Sequence, residues 1–313
     1  MGKKIKFEIN PRYGICAPEG FVIVSLDYSG QELMLAAALS EDPILLTSFR
    51  SPEKLPGPDG KLYYNPDADL HTLTTKACCF PEIYKDDKGE DLPWWRWRDI
   101  GDTTGCRKFG KIKNFGAIFG QSAKAVSELN YVPLERAIEW DKNHKQLWNV
   151  YFNWAEEVGH LGAARGWIET PWLGRIRCVS ESNAKGSGES AEILACNHKI
   201  QGSAADMTKV ASIRCQNYIR NPKNQRDMPE LKDVKLLGVV HDELLFMGPG
   251  SCYLDIENSK FKNDICIKPK WVSGPTPWVE PLRQIMIDSE TEALNGILTG
   301  RVGDAEPCRY WSH

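Results

Sequence analysis

Two kinds of hydrophobic spacing divide the chain into strands and helices. Apolar and β-branched residues fill the stretch FVIVSLD at 21–27, which predicts a strand that ends at Asp27. Apolar residues then recur at helical spacing until the polar stretch SEDP at 40–43, which predicts the end of a helix. Two further apolar strands are predicted over 234–248, joined at the polar turn HDE at 241–243.

The rest of the chain is predicted to be mainly helical. Helical patterns cover residues 68–80, 107–129, 133–160, 190–218 and 280–298. The segments GWIET and GRIRCVS within 166–180 predict a hairpin, whereas residues 51–68 and 81–105 predict a surface loop and a charged excursion. This mixture of helices and strands predicts an α+β fold.

Composition and charge exclude several classes of protein. The chain has 313 residues, of which 42% are hydrophobic and 26% are charged, and these values exclude disordered, collagen-like and coiled-coil chains. A net charge of −3 gives no sign of a strongly basic nucleic-acid binder, although a local basic patch would be enough for binding.

Cysteine usage and hydropathy indicate the compartment. The ten cysteines include no C-x-x-C motif, so the thiols are expected to be reduced and mostly buried rather than bound to zinc or paired as disulfides. No apolar run approaches the roughly 20 residues of a membrane-spanning helix. The start of the chain lacks the apolar region of a signal peptide. We therefore expect a cytoplasmic protein with no membrane partner.

Acidic residues stand at the ends of the predicted strands. Asp27 ends the first strand, and Asp242 and Glu243 lie at the turn between the other two. Two rigidly held carboxylates from distant parts of a chain can bind two Mg²⁺ ions, which stabilise the attacking and leaving oxygens of a phosphoryl transfer. Each feature taken alone is more often a turn or a helix cap.

A stripe of cationic and aromatic residues lies on the helix predicted to begin at residue 107. Arg107, Lys111, Phe115 and Phe119 recur every four residues, so they lie along one slowly drifting face. Arg and Lys neutralise phosphate oxygens, and the rings suit a sugar and base, which together fit a nucleoside triphosphate. A surface helix with its rings packed inward would give the same pattern.

A run of small residues, IQGSAAD at 200–206, lies within another predicted helix. Small residues permit close packing between helices, which is the simplest interpretation of this run. The side chain of Gln201 also carries donors and acceptors, and these suit the degenerate minor groove of DNA without choosing a base pair.

These segments and others resemble, in order, the motifs of family A DNA polymerases, the group of bacterial DNA polymerase I and many phage polymerases. Residues 17–43 resemble motif A, 107–120 motif B and 239–246 motif C. The segments ADLHT, GWIET, IQGSAAD and the terminal YWSH resemble further family segments. Relative to the family pattern, the excursion at 81–105 lengthens the chain before motif B. The matches extend from about residue 10 to the end of the chain, and such an ordered series does not arise by coincidence.

The resemblance implies a right-hand polymerase fold with an antiparallel palm sheet and mostly helical fingers. It implies palm segments at 1–36 and 187–313, and fingers at 37–186. The nucleotide-binding helix would then lie at 107–122, and motif C at 241–243.

The resemblance also assigns catalytic roles to single residues. Asp27 and Asp242 would be the aspartates that bind two Mg²⁺ ions, with Mn²⁺ as the alternative metal. The backbone carbonyl of Tyr28 would be a further metal ligand, and Glu243 would support the site. Lys111 would protonate the departing pyrophosphate.

Further residues would bind the substrates. The nucleotide-binding residues implied by the resemblance are Gln31, Glu32, His71, Arg107, Lys111, Phe115 and Phe119. Among them, Glu32 would be the steric gate against a ribose 2′-hydroxyl, and Phe115 would stack beside the sugar and base of the incoming dNTP. The residues implied to contact primer–template DNA are Asn197, Gln201, His241 and Arg175.

The family's thumb precedes motif A, and a 3′–5′ exonuclease domain often lies further upstream, whereas motif A begins here at residue 17. The thumb holds the duplex through phosphate contacts, which dominate affinity, so we expect weak DNA binding and poor processivity from this chain alone. We expect the palm-and-fingers half of a split polymerase, completed by a second polypeptide that supplies the thumb and any exonuclease. Compact, split polymerases suit phage genomes, so a phage-encoded protein in the host cytoplasm is expected.

Two alternatives stay open at this stage. The fold could be present without the chemistry, as in a non-catalytic DNA-binding or assembly subunit, although the intact Asp27, Lys111 and Asp242 argue against it. The chain could also be a single-subunit RNA polymerase, which shares the palm, although Glu32 and Phe115 favour deoxynucleotides.

Overall fold

The chain forms two compact units in a computed structural model. The first unit comprises Met1–Ser29, Ala205–Ala293 and Thr299–His313, and the second comprises Gly30–Ala204 and Leu294–Leu298. The structure describes residues 14–180, 190–254, 260–262, 265–268, 271–305 and 307–308, so the motif at 310–313 lies outside the described residues. Each unit contains helices and antiparallel strand pairs, which confirms the predicted α+β fold.

A three-stranded antiparallel sheet forms the centre of the first unit. Its strands lie in the order β1 (Phe21–Asp27), β7 (Glu243–Pro249) and β6 (Lys235–Val240). Alternate side chains of a strand point to the same face of the sheet. Val22 and Leu26 therefore share one face of β1, and both are fully buried.

Helices cover this buried face of the sheet. The core joins Val22 and Leu26 to Cys215 in α10 (Ser203–Arg220) and to Met286 in α12 (Val279–Ala293). Trp278 is fully buried in the same core, and its indole Nε1 donates a hydrogen bond of 2.9 Å to the Pro249 carbonyl. The other elements of this unit are α11 (Pro222–Asp227), a 3₁₀ turn (Pro229–Lys232), and the pairs β8 (Cys252–Leu254) with β11 (Trp271–Ser273) and β9 (Lys260–Lys262) with β10 (Ile265–Lys268).

The second unit is mainly helical. Its α-helices are α1 (Gln31–Ser40), α2 (Pro43–Arg50), α3 (Leu70–Thr74), α4 (Trp97–Thr103), α5 (Arg107–Ile118), α6 (Ala123–Asn130), α7 (Leu134–Leu147), α8 (Asn149–Arg165) and α9 (Ala191–Asn197). Two π-helical segments follow α3 and α9, at Thr75–Cys79 and His198–Gly202, and 3₁₀ turns lie at Pro81–Tyr84 and Trp94–Arg96. Its two hairpins pair β2 (Lys54–Pro56) with β3 (Leu62–Tyr64) and β4 (Trp167–Glu169) with β5 (Ile176–Cys178).

Two of the predicted helices are divided in the structure. The pattern over 107–129 forms α5 and α6, because Gly120 adopts a left-handed conformation with a φ of 69° and stops the first helix. The pattern over 133–160 forms α7 and α8, because the backbone leaves the helical conformation at the fully buried Trp148. Residues 51–68, predicted as a loop, contain the β2–β3 hairpin.

The other strand and hairpin predictions, at 21–27, 166–180 and 234–248, are confirmed. All nine cysteines that the structure describes are free and five are buried, as expected. Among the described residues, no helix is both long enough and apolar enough to cross a membrane. The assignment of palm and fingers to particular ranges stays a prediction.

Candidate active site

Strand pairing brings the predicted catalytic carboxylates of the first unit together. β1 and β7 are antiparallel, and the pairing places Asp27 directly opposite Glu243. Asp242 immediately precedes Glu243, and its backbone carbonyl accepts a hydrogen bond of 3.3 Å from the backbone N–H of Tyr28. Asp27 and Asp242 are both partly exposed, so their carboxylates remain accessible at this edge of the sheet.

Buried neighbours fix the backbone around this pair. The Ser25 hydroxyl donates a hydrogen bond of 2.5 Å to Oε1 of Glu243, which is buried. The Tyr28 hydroxyl donates to the Met286 carbonyl at 3.1 Å, and burial raises the pKa of this phenol far above its usual value. His241 has a φ of 56°, a conformation that L-residues rarely adopt, and it forms the tight turn that presents Asp242.

Negative charge accumulates near Asp242. Glu290 is fully buried in α12, and its Oε2 accepts a hydrogen bond of 2.6 Å from the backbone N–H of Arg301. Burial raises the pKa of Glu290 to about 8, against the lowering effect of Arg301, and the Asp242 carboxylate adds to the increase. A neutral Glu290 avoids a further negative charge near Asp242.

The oxygen donors of this edge fit a hard divalent cation. Mg²⁺ prefers oxygen ligands and is often held by one or two carboxylates together with substrate phosphates. Asp27, Asp242 and the Tyr28 carbonyl supply such a partial set. Among the residues that the structure describes, no group of three or more His, Cys, Asp or Glu side chains is arranged to hold a metal ion.

The predicted cationic and aromatic stripe lies on α5 of the second unit. Arg107 is the first residue of the helix, and Lys111 is exposed one turn later with its Nζ 5.8 Å from the ring centre of Phe115. Phe115 and Phe119 stack with ring centres 6.2 Å apart and an interplanar angle of 24°. Phe119 caps the end of the helix rather than lying within it, so only the first three members share the regular helical face.

Arg107 is held by a buried carboxylate that the sequence reasoning missed. Its Nη2 and Nε donate to Oδ1 and Oδ2 of Asp69 at 2.8 and 3.2 Å. Asp69 also receives hydrogen bonds from Thr72 and from Arg98. Burial raises the pKa of Asp69, but the hydrogen bond and charge of Arg107, with help from Thr72 and Arg98, outweigh it and bring the pKa to about 2.

His71 lies next to the stripe. Its ring centre is 6.0 Å from that of Phe115, and its Nδ1 lies 2.9 Å from the side-chain nitrogen of Asn114, which is buried in α5. Burial lowers the pKa of His71 to about 4, and the charge of Arg107 lowers it further than Asp69 raises it. A neutral imidazole at physiological pH acts as a hydrogen-bonding group rather than as a cation.

A glycine sets the distance between α5 and the segment that carries His71. A Cβ built on Gly110 would collide with the His71 carbonyl and with the Thr75 hydroxyl, and would lie 3.0 Å from the Thr75 backbone nitrogen. The two helical segments therefore approach more closely than any side chain at this position allows. Gly110 lies in the segment that resembles motif B, and Asp69 lies in the segment ADLHT. Their positions within these two segments are the signal that could have identified them.

The remaining predicted binding residues lie at helix ends and hairpins of the second unit. Gln31 and Glu32 open α1, the first buried and the second partly exposed. Asn197 ends α9 and lines a cavity of about 640 Å³, whereas Gln201 is exposed in the π-helical segment after it. The guanidinium of Arg175 donates to the Gly202 carbonyl at 2.6 Å, so part of its hydrogen-bonding capacity is used within the chain.

Comparisons with known proteins identify similar sequences and a similar solved structure. The family model "DNA polymerase family A" matches residues 2–258. The thermostable DNA polymerase I of Thermus thermophilus is 30% identical over 244 residues, which cover 76% of this chain and 24% of that protein. The DNA polymerase of Mycobacterium phage D29 is 28% identical over 211 residues, which cover 66% of this chain and 28% of that protein.

Among solved structures, the POL domain of Pol1 from M. smegmatis, in complex with DNA primer-template and dNTP, has a similar fold. Its TM-score is 0.63 at 21% identity, and the alignment covers 98% of this chain and 44% of that one. The chain thus spans about a quarter of the length of the curated relatives reported above. Because the family model extends over most of its residues, the chain belongs to DNA polymerase family A.

Proposed function

We propose that this chain is the catalytic part of a DNA-templated DNA polymerase that adds dNTPs to the 3′-hydroxyl of a primer. The observation that carries the proposal is the pairing of β1 with β7, which sets Asp27 beside Asp242 at one edge of a sheet. Two partly exposed carboxylates, one at the end of β1 and one in the turn before β7, are suited to phosphoryl transfer, where catalysis is mostly positioning and charge stabilisation.

The first unit would hold the metal ions of this reaction. In the proposal, Asp27, Asp242 and the Tyr28 carbonyl bind Mg²⁺, with Mn²⁺ as the alternative. Two bound cations supply charge stabilisation for the attacking and leaving oxygens. Glu243, held by Ser25, keeps the turn that carries Asp242 in place.

The second unit would bind the nucleotide. Arg107, Lys111 and His71 contact the triphosphate, and the exposed ammonium group of Lys111 gives a proton to the departing pyrophosphate and becomes a neutral amine. Phe115 stacks beside the sugar and base, and Glu32 excludes a ribose 2′-hydroxyl. Phe119 and Gln31 are the other two residues proposed to bind the nucleotide.

The same unit and the turn of motif C would contact the primer–template. The residues proposed for DNA are Asn197, Gln201, His241 and Arg175. A relative whose solved structure holds DNA primer-template and dNTP supports both partners as candidates for this chain.

A second polypeptide is proposed to supply the thumb and any 3′–5′ exonuclease. The mild net charge of −3 supports this, because a duplex clamp is usually basic and would lie elsewhere. The matched relatives are about four times as long as the segment they share with this chain. One of them is a phage enzyme, which supports a phage-type protein. Isolation of the chain from its native source should yield a complex with a thumb-bearing protein. A processive monomer, or a thumb on the same polypeptide, would contradict the split arrangement.

Primer extension with Mg²⁺ tests the activity. The full chain, with its thumb-bearing partner added, should extend a primer in a template-directed way. The variant Asp242→Ala should lose more than about 100-fold in rate, because loss of a direct metal ligand exceeds the effect of outer-shell changes. Asp233→Ala, which removes an exposed carboxylate of the same unit, is the matched control and should retain activity. Absence of Asp242-dependent extension would favour a DNA-binding subunit, and a preference for ribonucleotides would favour an RNA polymerase.

A further inference from the structure

The excursion at 81–105 brings a second arginine to the carboxylate that holds Arg107. Arg98 is the second residue of α4, and its Nη1 donates to Oδ2 of Asp69 at 2.9 Å. The Nε of Arg107 donates to the same oxygen at 3.2 Å. Two guanidinium groups therefore share one carboxylate, and the Asp69 side chain is only 6% exposed.

The contacts of Arg98 hold its guanidinium firmly within the chain. Its Nε donates to Oδ2 of Asp102 at 2.5 Å, and its Cζ lies 4.4 Å from the ring centre of Tyr64. The side chain is 25% exposed. These contacts use Nε, Nη1 and one face of the group, so the orientation of Arg98 is fixed within the chain.

Arg107 is the first residue of α5, and part of its guanidinium also stays available. Its Nε and Nη2 donate to Asp69, and its Nε also donates to the Thr72 hydroxyl at 3.2 Å. Within the part of the chain that the structure describes, its Nη1 donates no hydrogen bond. One edge of the guanidinium is thus fixed while an amino group remains for a ligand.

The charges of the cluster explain why a second arginine is useful. With Arg107 alone, the buried Asp69 carboxylate would cancel its positive charge. Arg98 adds a second positive charge. Asp102, which pairs with Arg98 and also lies 3.9 Å from Nε of Arg107, is half exposed and therefore better screened by water than Asp69. The carboxylate then fixes the orientation of Arg107 without cancelling its attraction for an anion.

We propose that Arg98 is a positioning residue for the incoming nucleotide: it neutralises Asp69, so that Asp69 orients Arg107 while Arg107 stays able to bind the triphosphate. This inference rests on the proposed polymerase function. It also gives the excursion at 81–105 a role, since the excursion supplies α4 and with it Arg98.

Steady-state primer extension with Arg98→Met tests the proposal in the full chain with its thumb-bearing partner. The KM for dNTP should rise about tenfold, the order expected for loss of one charge-assisted hydrogen bond, while kcat changes less than about twofold. Arg98→Lys, which keeps the charge and one donor, should recover part of the affinity. Arg96→Met removes an exposed positive charge from the same segment and should leave KM unchanged.

A double-mutant cycle separates positioning from general damage. Asp69→Asn keeps an acceptor for the helix cap of α3 but removes the negative charge that Arg98 neutralises. In that background, Arg98→Met should raise KM by less than about twofold, because interacting residues are not additive. Equal effects of Arg98→Met in both backgrounds would overturn the proposal. Should Arg98→Met fail to fold, the same cycle is run with Arg98→Lys.

The failure of this inference differs from the failure of the proposed function. A wild-type protein that extends primers, with an Arg98→Met variant of equal KM, refutes the role of Arg98 and leaves the polymerase function standing. A wild-type protein without Asp242-dependent extension refutes both.

Discussion

The close approach at Gly110 gives a sharp test of the packing between α5 and the segment that carries His71. In Gly110→Ala, the new methyl group would enter the space of the His71 carbonyl and the Thr75 hydroxyl. These atoms cannot retreat easily, because the Thr75 hydroxyl donates a hydrogen bond of 2.7 Å to that same carbonyl. The backbone of one segment must therefore shift.

Gly116 offers a matched control in the same helix. A Cβ at Gly116 would lie 2.6 Å from Oε1 and 3.3 Å from Cβ of Gln121, and the first of these is the end of a flexible, partly exposed side chain. Rotation of the glutamine side chain moves Oε1 away at little cost, and the contact with Cβ needs a shift of only a few tenths of an ångström. Gly116→Ala therefore keeps the gain in helix propensity that alanine brings, about 1 kcal/mol in a helix interior.

The expected magnitudes follow from these two environments. Gly110→Ala gains the same helix propensity but incurs overpacking of about 1–3 kcal/mol and the loss of a hydrogen bond of about 1 kcal/mol. The free energy of unfolding should thus be about 2 kcal/mol or more lower in Gly110→Ala than in Gly116→Ala. For a unit of this size, about 2 kcal/mol corresponds to roughly 4–8 °C in melting temperature.

Thermal and urea unfolding of the full-length variants measure this difference. Because α5 carries Arg107 and Lys111, the dNTP KM of Gly110→Ala should rise as well, while that of Gly116→Ala should stay close to the wild-type value. A Gly110→Ala protein as stable as the Gly116→Ala protein would show that the two segments are not packed as closely as described.

Two further predictions concern buried polar groups of the second unit. Asp42 caps α2 and its Oδ2 accepts a hydrogen bond of 3.1 Å from the Tyr151 backbone, so Asp42→Ala should lower the free energy of unfolding by about 2–4 kcal/mol and Asp42→Asn by less, as measured by urea titration. Burial, with the charge of Lys113 beside it, lowers the pKa of His144 from 6.5 to about 3. Between pH 6.5 and the lowered pKa, His144 takes up a proton only in the unfolded state, so acid favours unfolding. The free energy of unfolding of the wild type should therefore fall by about 2 kcal/mol more than that of His144→Phe between about pH 6.5 and pH 5. A His144→Phe variant whose stability depends on pH as steeply as that of the wild type would contradict the reasoning.

Local patterning was sufficient for most elements. The apolar and β-branched residues at 21–27 and the apolar runs at 234–248 predicted strands because such residues pack well in a buried sheet. The divided helices were not predictable in the same way. Trp148 has no helix-breaking chemistry of its own, and the break at that position follows from burial of its ring in the second unit.

The candidate site shows the same division. The motif residues Asp27, Arg107 and Asp242 were identified in the sequence by their order and residue type. The sequence did not indicate that Asp69 binds Arg107, because the two are 38 positions apart and nothing in their spacing predicts the contact. It also left the excursion at 81–105 without a role.

The sequence by itself determined the kind of chemistry available: carboxylates at strand ends, and cations and rings along one helix. These follow from short-range rules that link residue type and spacing to local structure. Only the tertiary structure decided which groups meet. The pairing of β1 with β7 sets Asp27 against Glu243, and the close approach at Gly110 joins α5 to its neighbour. Such contacts depend on how distant segments exclude water and fill space together, and no local pattern encodes them.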